Sequence, residues 1–283
     1  MSPSPRTLNE LFFGAMDRST SRPVAMRIKR GGTWTDLSFA DLLAQVHALS
    51  VGLHELGVNA GDRLAILSEN RPEWAITDFA CLACRCADVP VYPTLPAHQI
   101  EYILRDSGAV AVCCSSAAQL GKILDIRGNL PNLRHIIVFD AEAASGGALT
   151  FDSVVAKGRA ALAKYPTWRA DALAVTPDDL ATLIYTSGTT GDPKGVMLTH
   201  GNITSDVVAG LQVLDLRQSD ECLSFLPLSH IFERMAGHYC MTQMGAIINY
   251  ATSIESVPIE MGELRPTVVC SVPRLYEKIY ARV

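Results

Sequence analysis

Hydrophobic positions along the chain alternate between the period of a helix and that of a strand. After Ser38, apolar residues recur at Leu42, Leu43, Val46, Leu49, Leu53 and Leu56, the spacing of a helix with one buried face. Ser38 followed by Asp41 has the form of a capping box, and Gly57 supplies a stop. Leu64-Ala65-Ile66-Leu67 is an unbroken apolar run of strand length, and Pro72 suits the first turn of a helix reaching about Cys86. Further strands are predicted over residues 89–92, 110–114, 136–139, 180–185, 223–226, 246–250 and 267–271, with helical patterns between most of them. This alternation predicts an α/β fold. Residues 141–148 read as an exposed loop, and Pro166 and Pro177 mark a candidate domain boundary near 166–178. The last pattern, from Pro273 to Val283, is a helix with no stop signal, so the natural chain is expected to continue.

Composition narrows the class. Of 283 residues 48% are hydrophobic and 19% charged, as in a globular protein with a sizeable core. A net charge of -5 argues against nucleic-acid binding through bulk charge. Every apolar run is interrupted before the roughly 20 residues of a membrane span, and the N-terminus lacks a signal-peptide core. The eight cysteines are irregularly spaced and sit mostly in apolar runs, which suits reduced thiols in a cytoplasmic protein. Cys81, Cys84 and Cys86 form a C-x-x-C-x-C run without a second ligand pair nearby, and are read as core rather than metal ligands.

One segment carries chemistry. After Leu183-Ile184-Tyr185 come Thr186, Ser187, Gly188, Thr189, Thr190, Gly191, Asp192, Pro193, Lys194 and Gly195. Glycines let backbone N–H groups close on an anion, hydroxyls add donors, and lysine adds a point charge: together, a polyphosphate clamp. It is not a Walker loop. Pro193 and Gly195 stand where that motif needs a glycine and a magnesium-binding hydroxyl, and the residues after Lys194 read as a strand rather than a helix. The bland alternative is a glycine-rich hairpin.

The loop over 185–195 resembles the phosphate loop of the adenylate-forming superfamily, which includes acyl-CoA synthetases, luciferases and the adenylation domains of peptide synthetases. The block from Phe225 through Leu226-Pro227-Leu228-Ser229-His230-Ile231-Phe232-Glu233 to Arg234 is similar to the next block of long-chain acyl-CoA synthetases, as is the one from Ser271 to Lys278. Ser68-Glu69-Asn70-Arg71-Pro72-Glu73-Trp74 and Ala87-Asp88-Val89-Pro90-Val91-Tyr92-Pro93 resemble earlier blocks of that group.

The resemblance implies that residues 1–283 are the N-terminal portion of an AMP-binding (adenylation) domain: mixed sheets flanked by helices, with the rest of that domain and a small C-terminal domain outside them. It implies ATP-dependent activation of a long-chain fatty acid as acyl-adenylate, then thioester formation with coenzyme A. Ser187, Gly188, Thr189, Thr190, Gly191 and Lys194 would hold the β- and γ-phosphates, Thr186 would help to hold Mg2+, and His230 would sit beside the α-phosphate and the substrate carboxylate. The family's ribose-binding aspartate, its Tyr-Gly-x-Thr-Glu block and its C-terminal lysine do not occur in these residues, so the segment alone is expected to be inactive. Peripheral membrane contact, oligomeric state and acyl chain length stay open. So do two other functions: acyl transfer to a carrier protein or another acceptor, and non-catalytic nucleotide binding.

Other readings remain at residue level. His230 alone could be a core histidine. Glu233 and Arg234 could be a surface helix pair or ligands, and Tyr185 packs its strand. Arg105, Asp106, Asp125 and Arg127 read as solvated helix faces. Phe232, Met235, Tyr239, Met241 and Met244 could line an acyl tunnel or pack the core.

Overall fold

The computed structural model describes residues 4–19, 21–186 and 192–280. Its strands form two sheets. In chain order they are β1 (Met26–Arg30), β2 (Thr33–Leu37), β3 (Arg63–Leu67), β4 (Ala87–Val91), β5 (Ala111–Cys114), β6 (His135–Val138), β7 (Leu149–Thr150), β8 (Leu180–Thr186), β9 (Lys194–Thr199), β10 (Glu221–Ser224) and β11 (Ile247–Tyr250). The larger sheet has the order β7-β6-β5-β3-β4-β8-β9 and is parallel except for β9. The smaller has the order β10-β11-β1-β2.

Helices cover the larger sheet on both faces. They are α1 (Leu8–Ser19), α2 (Phe39–Glu55), α3 (Pro72–Ala83), α4 (Ala97–Ser107), α5 (Ala117–Ile126), α6 (Phe151–Ala161), α7 (Trp168–Ala172) and α8 (His200–Val213). Later come α9 (Ile231–Glu233), a π-helix over Arg234–Cys240, α10 (Met241–Met244), α11 (Val257–Leu264) and α12 (Pro273–Tyr280). Alternation along β3 sorts its side chains between two cores. Leu64 and Ile66 join α1, α2 and α3 in one, and Ala65 and Leu67 join α4 and α5 in the other. Phe12 of α1 stacks on Phe79 of α3 at 4.4 Å, both rings buried. Each such buried aromatic contributes about 1.5–3 kcal/mol.

The α/β class and the strands predicted at 89–92, 110–114, 136–139, 180–185, 223–226 and 246–250 are present, with ends shifted by one or two residues. Ser38 caps α2 by accepting the Asp41 N–H. Three expectations need correction. Helix α3 ends at Ala83 rather than near Cys86, because Arg85 takes a left-handed φ of 59° and Cys86 N–H donates back to the Cys81 carbonyl, closing the helix without glycine. Residues 267–271 make only an isolated bridge, Val268 to Cys222, on the free edge of β10. Pro266 and Pro273 bracket that segment, and Ser271 and Val272 at its end line a cavity instead of extending a strand. The 166–178 stretch is no break: Trp168 is buried, stacks on His47 at 3.9 Å and donates to Ser50 Oγ at 2.6 Å, and β8 then joins the same sheet as β4. The loop expected at 141–148 is a short 3-10 turn followed by largely exposed chain. Among the described residues, no helix is long and apolar enough to cross a membrane.

Candidate active site

Strands β3, β4, β5, β6 and β8 run in one direction, so their C-terminal ends share one edge of the larger sheet. The chain leaves β3 for β4 on one side and crosses to β5 on the other. In an open parallel sheet, such a reversal leaves a crevice at the C-terminal ends where ligands bind.

Strand β8 ends at that edge on Thr186, and β9 returns antiparallel from Lys194, with Thr186 opposite Lys194. Lys194 therefore starts a strand, as the residues after it predicted, and helix α8 begins only at His200, capped by Thr199. Residues directly opposite in an antiparallel pair project from the same face. The Thr186 hydroxyl and the Lys194 ammonium thus share a face, and both are exposed. On the other face the ring of buried Tyr185 lies over Gly195, where a Cβ would come within 3.0 Å of Tyr185 Cζ. Gly195 is thereby accounted for by packing. The candidate phosphate ligands Ser187, Gly188, Thr189, Thr190 and Gly191 lie outside the described residues.

His230 reaches the same edge from the smaller sheet. It follows β10 and caps α9, its Nδ1 accepting the Phe232 N–H at 3.2 Å. In the neutral ring that leaves the proton on Nε2, as a donor. His230 lines a cavity of about 450 Å³ with Tyr92, Leu226, Pro227, Phe232, Glu233, Ser271 and Val272. That size suits a small-molecule site, and the walls are mostly apolar. Thr182 pairs with Asp88, so β8 and β4 run side by side toward this edge; β8 ends there on Thr186 and β4 on Val91, and Tyr92, the next residue, lines the His230 cavity. The hairpin and the His230 cavity therefore meet the same edge of the sheet. Of the five tunnel candidates only Phe232 lines this cavity; Tyr239 and Met241 are buried in the main core, against which Met235 and Met244 pack.

Asn70 braces the His230 segment. Its Nδ2 donates to the Leu226 carbonyl at 2.7 Å and to Ser224 Oγ at 3.1 Å, and its Oδ1 accepts the Leu228 N–H at 2.9 Å. Sequence reasoning noted its block without giving it a task.

Glu233 and Arg234 are not a surface pair. Glu233 is 1% exposed and accepts the Ser224 hydroxyl at 2.6 Å, and burial pushes its carboxyl up to about 7. Arg234 is fully buried against Asp78 and Asp88. Exposed Asp106 likewise has a task, accepting the Tyr185 hydroxyl at 2.6 Å. Cys81, Cys84 and Cys86 are buried free thiols, and burial pushes Cys81 and Cys84 up.

Comparison with known proteins identifies the family and the fold. The family model described as AMP-binding enzyme matches residues 14–283. The chain is 37% identical over 254 residues to the long-chain-fatty-acid–CoA ligase FadD15 of Mycobacterium bovis, covering 88% of this chain and 41% of that protein. It is 32% identical over 290 residues to the peroxisomal long chain acyl-CoA synthetase 7 of Arabidopsis thaliana, covering 97% of this chain and 40% of that protein. The chain thus spans about two fifths of the length of these relatives. Among solved structures, the anthranilate CoA ligase AuaEII in complex with anthranoyl-AMP superposes with a TM-score of 0.80 at 23% identity, over 94% of this chain and 50% of that one. The N-terminal domain of FACL13 from Mycobacterium tuberculosis gives 0.79 at 22% identity, over 96% and 64%. At these identities the superpositions establish the fold.

Proposed function

The chain belongs to the AMP-binding enzyme family, and from that premise we propose that residues 1–283 supply the N-terminal portion of an adenylation domain in a long-chain fatty acid–CoA ligase. The observation that carries the reading is the pairing of Thr186 and Lys194 on one face of a hairpin, at the sheet edge where Tyr92 and His230 line an apolar cavity.

In this reading the hairpin loop receives the triphosphate of ATP. Lys194 and the donors of Ser187, Gly188, Thr189, Thr190 and Gly191 hold the β- and γ-phosphates, and the acyl chain lies along the apolar cavity walls. A carboxylate oxygen attacks the α-phosphorus, a new O–P bond forms, and pyrophosphate leaves. Negative charge builds on the transferring phosphoryl oxygens, where prepositioned donors lower the barrier most. The His230 Nε2–H is free to act as such a donor, because Nδ1 is already engaged by the Phe232 N–H. Mg2+ would offset phosphate charge, and the exposed Thr186 hydroxyl is the hard oxygen donor such an ion takes. Coenzyme A sulfur then attacks the acyl carbon and AMP leaves. The buried, unpaired cysteines suit a reducing compartment such as the cytoplasm.

The test is palmitate-dependent exchange of labelled pyrophosphate into ATP by the complete natural protein. Lys194→Ala is expected to lower exchange by the equivalent of about 1.5–3 kcal/mol, the worth of a charge-assisted contact. His230→Ala should slow acyl-AMP formation while ATP binding stays nearly intact. Unchanged exchange in both variants removes this site from the reaction.

A further inference from the structure

A buried polar assembly that the proposed reaction does not use ties β8 and β4 to the segment that follows His230. The Arg234 guanidinium donates through Nη2 to Asp78 Oδ1 and Asp88 Oδ2, and through Nη1 to Thr182 Oγ1 at 2.9 Å. The Thr182 hydroxyl passes its own proton to Asp88 Oδ1 at 2.8 Å. The Tyr239 hydroxyl donates to Asp78 Oδ2 at 2.9 Å, and His238 Nε2 lies 3.3 Å from the same oxygen. Every member is buried, and the guanidinium lies 5.4 Å from the ring centroids of both Trp74 and Tyr239. Burial opposes ionisation at Asp78, yet Arg234 and His238 hold that carboxyl below its usual range; burial and the charge of Asp78 push Asp88 upward.

Three features connect this assembly to the site. First, the registered ladder between β4 and β8 holds the single pair Asp88–Thr182, whereas β3 and β4 share five pairs. The side-chain bond from Thr182 to Asp88 falls on that same pair and adds a side-chain tie where the registered ladder is shortest. Second, Thr186 is four residues beyond Thr182 and on its face, so any tilt of β8 about that point displaces the loop. Third, Arg234 lies one turn after His230 and its N–H donates to the His230 carbonyl at 3.1 Å. The π-helix that begins at Arg234 explains the convergence: its wider turn brings residues 234, 238 and 239 to one side, all facing Asp78.

We propose that Arg234, Asp88 and Thr182 form a positioning strut that sets the phosphate-loop hairpin against the His230 cavity, and so governs alignment of ATP with the acid without touching either. Arginine suits the task, since its planar fork engages both carboxylates and the hydroxyl at once, which a lysine ammonium cannot reproduce. The inference rests on the adenylation reading of the site.

The test compares Thr182→Val, which keeps shape and removes the hydroxyl, with Thr182→Ser, which restores it. Both are made in the complete natural protein and scored per folded molecule. Thr182→Val is expected to lower the kcat of pyrophosphate exchange on the order of 10- to 100-fold, the scale of small misalignments remote from the chemistry. KM for ATP and for palmitate should move far less, and Thr182→Ser should recover most of kcat. A variant that melts earlier but keeps kcat per folded molecule overturns the strut, as does equal loss in Val and Ser. Amide hydrogen exchange supplies the independent readout. Faster exchange over residues 183–186 in Thr182→Val, with β3 unchanged, supports the strut even where the wild type shows no pyrophosphate exchange and the adenylation reading itself falls. Unaltered protection over 183–186 overturns it.

Discussion

Strand β8 meets two cations, and they are treated in opposite ways. Lys194 stands opposite its last residue, exposed, with no anionic partner among the described residues. Arg234 meets its middle, fully buried, with two carboxylates and a hydroxyl around it. A cation kept for a ligand must stay hydrated and available until the ligand arrives, whereas a cation kept for architecture must be compensated on the spot, because an unpaired buried charge is strongly destabilising. A few residues along one strand therefore separate an exposed charge, which the proposed function assigns to a ligand, from a buried structural one. Burial and partners, not residue type, make the distinction.

The sharpest way to break the comparison is to remove each charge in turn and measure unfolding by urea. Arg234→Met should cost about 3–5 kcal/mol, because Asp78 and Asp88 are left buried without their counter-ion. Lys194→Met should stay within about 0.5 kcal/mol of wild type, as exposed substitutions do. Equal losses at the two positions would mean that Lys194 also carries structure, and the contrast would fall.

These two regions also differ in how far the sequence reveals them. Lys194 and the hydroxyls and glycines before it are contiguous, so their chemistry is visible as a motif before any fold is known. The Arg234 assembly joins positions up to 161 residues apart, and nothing in one sequence marks Asp78, in an apolar helix, as its centre. The π-helix hides it further, since a 3.6-residue pattern places 234, 238 and 239 on a less coherent face. Other misses have similarly local causes. Arg85 closes α3 in a left-handed conformation that the usual glycine signal does not announce. The β1–β2 hairpin was missed as well: Gly31 and Gly32 form its two-residue turn with φ of 55° and 82°, but Arg27, Lys29 and Arg30 in β1 and Asp36 in β2 keep its short strands from reading as a buried run.

Glu233 offers a second contrast with its neighbour, being buried with a hydroxyl partner but no cation among the described residues. Burial raises its carboxyl from about 4.5 to about 7. The folded state therefore binds this proton more tightly than the unfolded chain, so its contribution is fully present below about pH 4.5 and is lost as pH rises to about 7. The adjacent thiols Cys222 and Cys270 are themselves pushed up by burial and stay neutral across that window. His200 acts oppositely: burial lowers it to about 4, so its contribution is lost as pH falls. The clean measure is thus the stability of wild type minus that of Glu233→Gln. It should fall by up to about 3 kcal/mol between pH 4.5 and 7 and stay level above. A flat difference would show that the carboxyl is solvated.

Among substitutions that remove a contact, the smallest effect is expected at Tyr185, and it tests where the proposed binding face ends. Tyr185 immediately precedes Thr186, yet alternation turns it to the opposite face, where it is buried, covers Gly195 and donates to exposed Asp106 at 2.6 Å. Tyr185→Phe keeps the ring, and hence the contact over Gly195, and removes only the hydroxyl. Asp106 remains accessible to water, so losing that hydrogen bond should cost about 0.5–1.5 kcal/mol without stranding a buried charge. Pyrophosphate exchange per folded molecule should stay at the wild-type level, because nothing on the Thr186 and Lys194 face has changed. Should Tyr185→Phe instead impair exchange while stability holds, the hydroxyl would have to act on nucleotide, and the division of β8 into a packing face and a binding face would be wrong. Tyr185→Leu separates ring from hydroxyl: it removes the cover over Gly195 as well, and should destabilise more than Phe while leaving the Thr186 and Lys194 side chains in place.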